Sequence, residues 1–203
     1  MSIILGIKTP RCAVVAADSH CNSRASAGTA EIPYDRTFHI ASVIGAYAGL
    51  SELAGLDVKQ HIANVLVAKS LRPRDAIDAL EEHIGPLLQG VAAEHVAFED
   101  RELEIIVASR EEIALLRFWP NPQRRAIEAQ HRLDQIWFVA GTEPVRDQAA
   151  ARLSKLRGLT SSTRNPALTV AQEIVEAAIA ACENRSRQQG GAQCVLPVSL
   201  RIV

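Results

Sequence analysis

Asp18-Ser19-His20 sets a carboxylate, a hydroxyl and an imidazole side by side, the three groups of a serine triad. Neighbours along a strand point to opposite faces, so adjacency cannot assemble a triad, and the run reads as chance composition. His20-Cys21 offers two soft ligands, but no further ligand lies at a spacing that would complete a metal site. The histidines His20, His39, His61, His83, His95 and His131 are dispersed and read as surface or helix-face residues. Cys12, Cys21, Cys182 and Cys194 form neither a disulfide framework nor a paired C-x-x-C motif. Reduced thiols of this kind point to the cytoplasm.

The bulk numbers narrow the classes further. With 203 residues and 48% apolar content, the chain is expected to bury one substantial core in a single domain spanning 1–203. A net charge of −1, with both signs scattered, gives no basic stripe for nucleic acid and no acidic tail for a basic partner. The apolar runs fall well short of the ~20 residues that cross a bilayer, and the N-terminus lacks a basic start and a small-residue cleavage site. A nucleic-acid or membrane function is therefore not expected.

The elements that would position any site follow from periodicity. Ser2 to Thr9 and Cys12 to Asp18 read as strands of an N-terminal hairpin broken at Pro10-Arg11. His20 to Thr37 reads as a loop or weak edge hairpin, and Phe38 to Ala48 as one strand ended by Gly49. Leu53, Leu56, Ile62, Val65, Leu66 and Lys69 fit the stripe of one helix. A second helix begins near Pro73, with Gly85-Pro86 expected to kink it. Leu103 to Ala108 and Ile113 to Trp119 read as a hairpin, Pro120-Asn121-Pro122 as a break, and Gln135 to Ala140 as another strand. Two helices follow, from about Thr142 to Leu156 and from a capping box at Thr169-x-x-Gln172. Gly158 to Pro166 reads as a surface loop between them, and Cys194 to Val203 closes as a strand that Pro197 confines to an edge or bulge. Strands and helices grouped in this way predict an α+β (α/β) protein with antiparallel sheets, a four-layer αββα sandwich.

Three segments carry a resemblance to proteasome-type N-terminal-nucleophile hydrolase subunits, nearest in style to the bacterial HslV and Anbu branches. Ser2-Ile3-Ile4-Leu5-Gly6-Ile7-Lys8 resembles the nucleophile-led first strand. Val14-Val15-Ala16-Ala17-Asp18-Ser19 resembles the second, and Asp18 falls sixteen residues after Ser2, the spacing the family keeps between nucleophile and aspartate. Ile44-Gly45-Ala46-Tyr47-Ala48-Gly49 resembles the strand that supplies the oxyanion amide.

The resemblance implies peptide-bond hydrolysis by Ser2 once Met1 is removed. The α-amine, with an unperturbed pKa of about 7.7–8.0, would act as base to the residue's own hydroxyl. Asp18 and a cation would tune that amine, and the Gly49 N–H would steady the oxyanion. Tyr47, Cys21 and Ser51 resemble parts of the first specificity pocket, with a plain core tyrosine as the other reading of Tyr47. No metal or organic cofactor is needed. The implied partners are a peptide or unfolded protein substrate, a homo-oligomeric ring, and an ATP-dependent unfoldase.

The chain departs from the family at several places. Asp35 or Arg36 stands where the family has lysine, and arginine cannot share or release a proton as lysine can. Ser186-Arg187-Gln188-Gln189-Gly190-Gly191 replaces the supporting Asp-x-x-Ser motif. Ala140-Gly141-Thr142 replaces Gly-Ser-Gly, leaving Thr142 as the nearest hydroxyl. These changes keep two alternatives in view, a catalytically inactive structural or peptide-binding subunit and an amidase acting on small amides.

Overall fold

The computed structural model describes residues 3–18, 35–67, 71–91, 102–121, 124–131, 137–155, 166–188 and 198–203. Two antiparallel sheets lie face to face, each backed by a pair of helices. One sheet contains β1 (Ile3–Lys8), β2 (Ala13–Asp18), β10 (Trp137–Gly141) and β11 (Val198–Ile202), in the order β10-β1-β2-β11. The other contains β3 (Thr37–Ile40), β4 (Val43–Gly49), β7 (Leu103–Ala108), β8 (Ile113–Asn121) and β9 (Arg124–His131), in that order. Helices α1 (Val58–Leu66) and α2 (Pro73–Val91) cover the second sheet, and α3 (Glu143–Leu153) and α4 (Pro166–Gln188) cover the first. The expected αββα sandwich is the observed architecture.

Alternation along the strands explains the layering. On β1, Ile3, Leu5 and Ile7 pack towards α3 and α4, while Ile4 faces the opposite sheet. On β4, Val43 and Tyr47 pack towards α1 and α2, while Ile44, Ala46 and Ala48 face β1 and β2. Where the two sheets meet, alanines (Ala13, Ala17, Ala46, Ala48, Ala108 and Ala140) interleave with larger side chains such as Ile4, Ile106 and Phe138.

Several sequence expectations are corrected. Phe38 to Ala48 is a hairpin and not one strand, because Ala41 takes a left-handed φ of 52° and turns the chain between β3 and β4. Leu53 and Leu56 belong to a short hairpin of β5 (Glu52–Leu53) and β6 (Leu56–Asp57), turned by Ala54 and Gly55 at positive φ. Helix α1 starts only at Val58, where Asp57 accepts a hydrogen bond from the Lys59 amide. Strand β8 continues through Pro120 to Asn121 and pairs with β9, a strand that the sequence reading passed over. Helix α4 begins at Pro166, so Thr169 is inside it and does not cap it. Strand β11 lies at a sheet edge, as Pro197 suggested. Among the described residues no helix is long and apolar enough to cross a membrane.

Candidate active site

One end of the sandwich gathers the residues singled out by sequence. The end of β2 and the start of β1 meet where the Ile3 N–H donates to Asp18 Oδ1 at 3.1 Å, with Asp18 buried. Ile3 is the register partner of Gly141, the last residue of β10. In the facing sheet, Gly49 at the end of β4 is the partner of Leu103 at the start of β7. Ser2 is joined to Ile3 by a peptide bond and, like Met1, lies outside the described residues, as does Cys21.

Gly49 is held by backbone shape. Its φ is +94°, and a Cβ there would sit 1.7 Å from the Glu102 carbonyl oxygen, so no other residue fits without moving the chain. Its own carbonyl accepts from Arg36 Nη1 at 3.1 Å. Arg36 is 3% exposed, rare for an arginine. Its guanidinium lies 5.8 Å from the Tyr47 ring centroid, within cation–π range. Asp35, the alternative at this position, faces outward and accepts from Thr37, Lys59 and Arg201. Of the two residues, Arg36 is the one turned inward.

Tyr47 is fully buried in the core under α1 and α2, its hydroxyl 3.5 Å from Asp57 Oδ1. Ser51 is half-buried and accepts the Val58 N–H at its carbonyl. Thr142 occupies the N-cap of α3, where its carbonyl accepts from Val145 and Arg146 while its hydroxyl makes no capping bond. Side chains of the Ser186–Gly191 segment lie outside the described residues. His61, one of the histidines read as surface or helix-face residues, lies on the buried face of α1; its Nε2 donates to the Leu53 carbonyl at 2.9 Å, and Nδ1 faces His83 Nε2 at 3.4 Å. No group of three or more metal-ligating side chains comes together among the described residues.

The sequence reading missed Glu104. This residue of β7 is 5% exposed and lies between the sheets. Its Oε1 accepts from Arg117 Nε at 2.7 Å, and its Oε2 accepts the Gly141 N–H. Arg117 also reaches the Val139 carbonyl at 3.5 Å, so the pair ties β7 and β8 to β10. Burial pushes the Glu104 carboxyl above its usual range, with Arg117 and the Gly141 amide limiting the rise. A signal was present: Glu104 and Arg117 each interrupt an otherwise apolar run, and a hairpin turning at 109–112 puts them opposite one another.

Comparison with known proteins fits this architecture. No protein-family model and no curated protein matches the sequence. Among solved structures, BPH from Thiobacillus denitrificans, solved in complex with epoxomicin, superposes with a TM-score of 0.56 at 11% identity, covering 99% of this chain and 97% of that one. Anbu from Yersinia bercovieri gives 0.55 at 13% identity, over 98% of this chain and 81% of the other. Eukaryotic HslV from Trypanosoma brucei gives 0.51 at 13% identity, with 98% of each chain covered. Two facing sheets between two helix pairs, matched over nearly their whole length by these three structures, show that the chain has the proteasome-type N-terminal-nucleophile hydrolase fold.

Proposed function

We propose that the chain is a peptidase whose nucleophile is Ser2 after removal of Met1, working within a homo-oligomeric ring on peptide or unfolded-protein substrates. The observation that carries this reading is the hydrogen bond from the Ile3 amide to buried Asp18, which anchors the chain one peptide bond from Ser2. The α-amine of Ser2 takes the hydroxyl proton as Oγ attacks the substrate carbonyl carbon. The Gly49 N–H is assigned to the resulting oxyanion, and a donor in that role is worth about 3–4 kcal/mol where one has been removed elsewhere. Collapse breaks the C–N bond, and the ammonium returns its proton to the leaving amine. Water, deprotonated by the same amine, then hydrolyses the ester and restores Ser2. The buried guanidinium of Arg36 supplies positive charge on this side of the sandwich, which favours the neutral amine.

The ring and a feeding ATP-dependent unfoldase rest on likeness to HslV. A second reading, a non-catalytic subunit of such a ring, is favoured by Arg36 itself: its Nη1 is committed to the Gly49 carbonyl, and it cannot exchange a proton.

Intact mass of the untagged protein, before and after a peptide epoxyketone, separates the readings. The warhead closes a ring on the hydroxyl and free amine of an N-terminal residue. The expected result is a parent mass lacking Met1, a single adduct, and no adduct on Ser2→Ala. A retained Met1 with no adduct would overturn the peptidase reading and leave the structural subunit.

A further inference from the structure

Glu104 is costly where it stands. A carboxylate between two sheets, surrounded by alanine and branched aliphatic side chains, loses hydration that one arginine and one amide only partly replace. Ion-pairing to Arg117 alone would not require the second oxygen. That oxygen is spent on the Gly141 N–H, at the terminal residue of β10, whose φ is +120°. Gly141 is the register partner of Ile3, and Ile3 is held from its other side by Asp18. The residue next to Ser2 is thus fixed between two carboxylate-anchored strand ends.

We propose that Glu104, in its ionised form and oriented by Arg117, is a positioning residue for the N-terminal nucleophile, acting through Gly141 and Ile3; this rests on the Ser2 reading. When Glu104 is ionised it accepts both donors and the end of β10 is fixed. When it is protonated only one oxygen keeps its full acceptor strength; with the Arg117 cation on Oε1 the proton falls on Oε2, and the Gly141 contact weakens. The charged groups acting on it are Arg117 from β8 and Glu102 from the segment before β7. From β4 its register partner is Ala48 and from β10 it meets the Gly141 N–H, while Asp18 and Arg36 stand at the same end of the sandwich. Reaction at Ser2 therefore depends on two protons at acid pH, one on the α-amine and one on Glu104.

The test is the rate of epoxyketone adduct formation on the full chain, followed by intact mass as pH is lowered. For the wild type, the fall in log rate is expected to steepen from first to second order in protons once Glu104 begins to protonate. Glu104→Gln can satisfy only one of the two donors, so the neutral-pH rate should drop about 10- to 100-fold, the scale of a small misplacement. Its profile should keep only the amine's single step. Arg117→Met leaves the carboxylate without its cation, so the second step should move to higher pH. A purely structural role would change rates without changing proton order. A wild-type profile with a single step overturns the proposal even where neither variant folds. Folded variants that keep the wild-type rate and profile overturn it while the Ser2 reading stands. No adduct on the wild type overturns both.

Discussion

Glu104 and Asp35 each draw donors from separate parts of the chain, yet their carboxyls move in opposite directions. Glu104, with a side chain 7% exposed, is raised by burial against the pull of Arg117 and the Gly141 amide. Asp35, 39% exposed, is pushed up by partial burial, but the Thr37 hydroxyl and amide and the Lys59 ammonium outweigh this and hold it at about 2. Lys59 reaches Asp35 from α1 at 3.3 Å and Arg201 from β11 at 2.9 Å. Burial raises both, but Asp35 keeps more water and accepts four hydrogen bonds where Glu104 accepts two. Water still hydrates Asp35, so each added donor is a gain; between the sheets, Arg117 and Gly141 repay a loss that has already occurred.

That contrast breaks most sharply at Arg117. Arg117→Met should destabilise the fold by about 3–5 kcal/mol in urea unfolding, because it leaves a buried charge uncompensated. Replacing both partners, Glu104→Met with Arg117→Met, should recover much of this, with about 1–3 kcal/mol remaining for the Gly141 N–H left without its acceptor. If Arg117→Met costs no more than a surface ion pair, the buried and exposed carboxylates are not different in kind.

The pH dependence of stability sharpens the same contrast. Asp35 is depressed in the folded state, so its contribution is present above the unfolded value of 3.8 and is lost as pH falls through about 2. Glu104 is raised, so its contribution is full at low pH and is lost as pH rises through its folded pKa. Asp35→Asn should cost about 1 kcal/mol near neutral pH and flatten the stability curve between about pH 4 and 2. Glu104→Gln should instead remove a decline on the alkaline side of the ordinary carboxylate range. In the role proposed for it Glu104 is ionised, whereas burial favours its neutral form, a conflict of the sort found at working sites.

How far the sequence shows this depends on the strength of local signals. Strands β1 and β7 are dense in branched aliphatics, β2 is an unbroken run of alanine and valine up to Asp18, β10 opens on Trp137-Phe138-Val139, and Pro73 opens α2 where it should. The β3–β4 turn was invisible because Ala41-Ser42 carries no glycine or proline and positive φ falls on an alanine. Leu53 and Leu56 mimic helical spacing, with Gly55 between them the only warning. Strand β9, Arg124-Arg125-Ala126-Ile127-Glu128-Ala129-Gln130-His131, is a charged sheet edge built from poor strand formers, the composition that keeps edges from aggregating. At the site, Asp18 and Gly49 were singled out by the resemblance of their segments to family strands, and the structure puts both at strand ends. The inward turn of Arg36 is set by tertiary packing on Tyr47 and Gly49, which no local pattern encodes.

The smallest effect tests the exposed side of the comparison. Lys59→Met removes one of two cations from Asp35 while Arg201 and the Thr37 contacts remain, so about 0.2–1 kcal/mol should be lost at low salt. In 1 M salt, where the screening length falls to about 3 Å, the difference should vanish, because water and ions reach the pair. Arg117→Met should keep its full cost under both conditions, since neither sheet admits salt. A Lys59→Met penalty that survives high salt would mean that Asp35, Lys59 and Arg201 are covered in solution, although a single chain leaves each more than a third exposed. Concentration dependence then decides what covers them. A penalty that fades on dilution would put this cluster at a contact between copies of the chain.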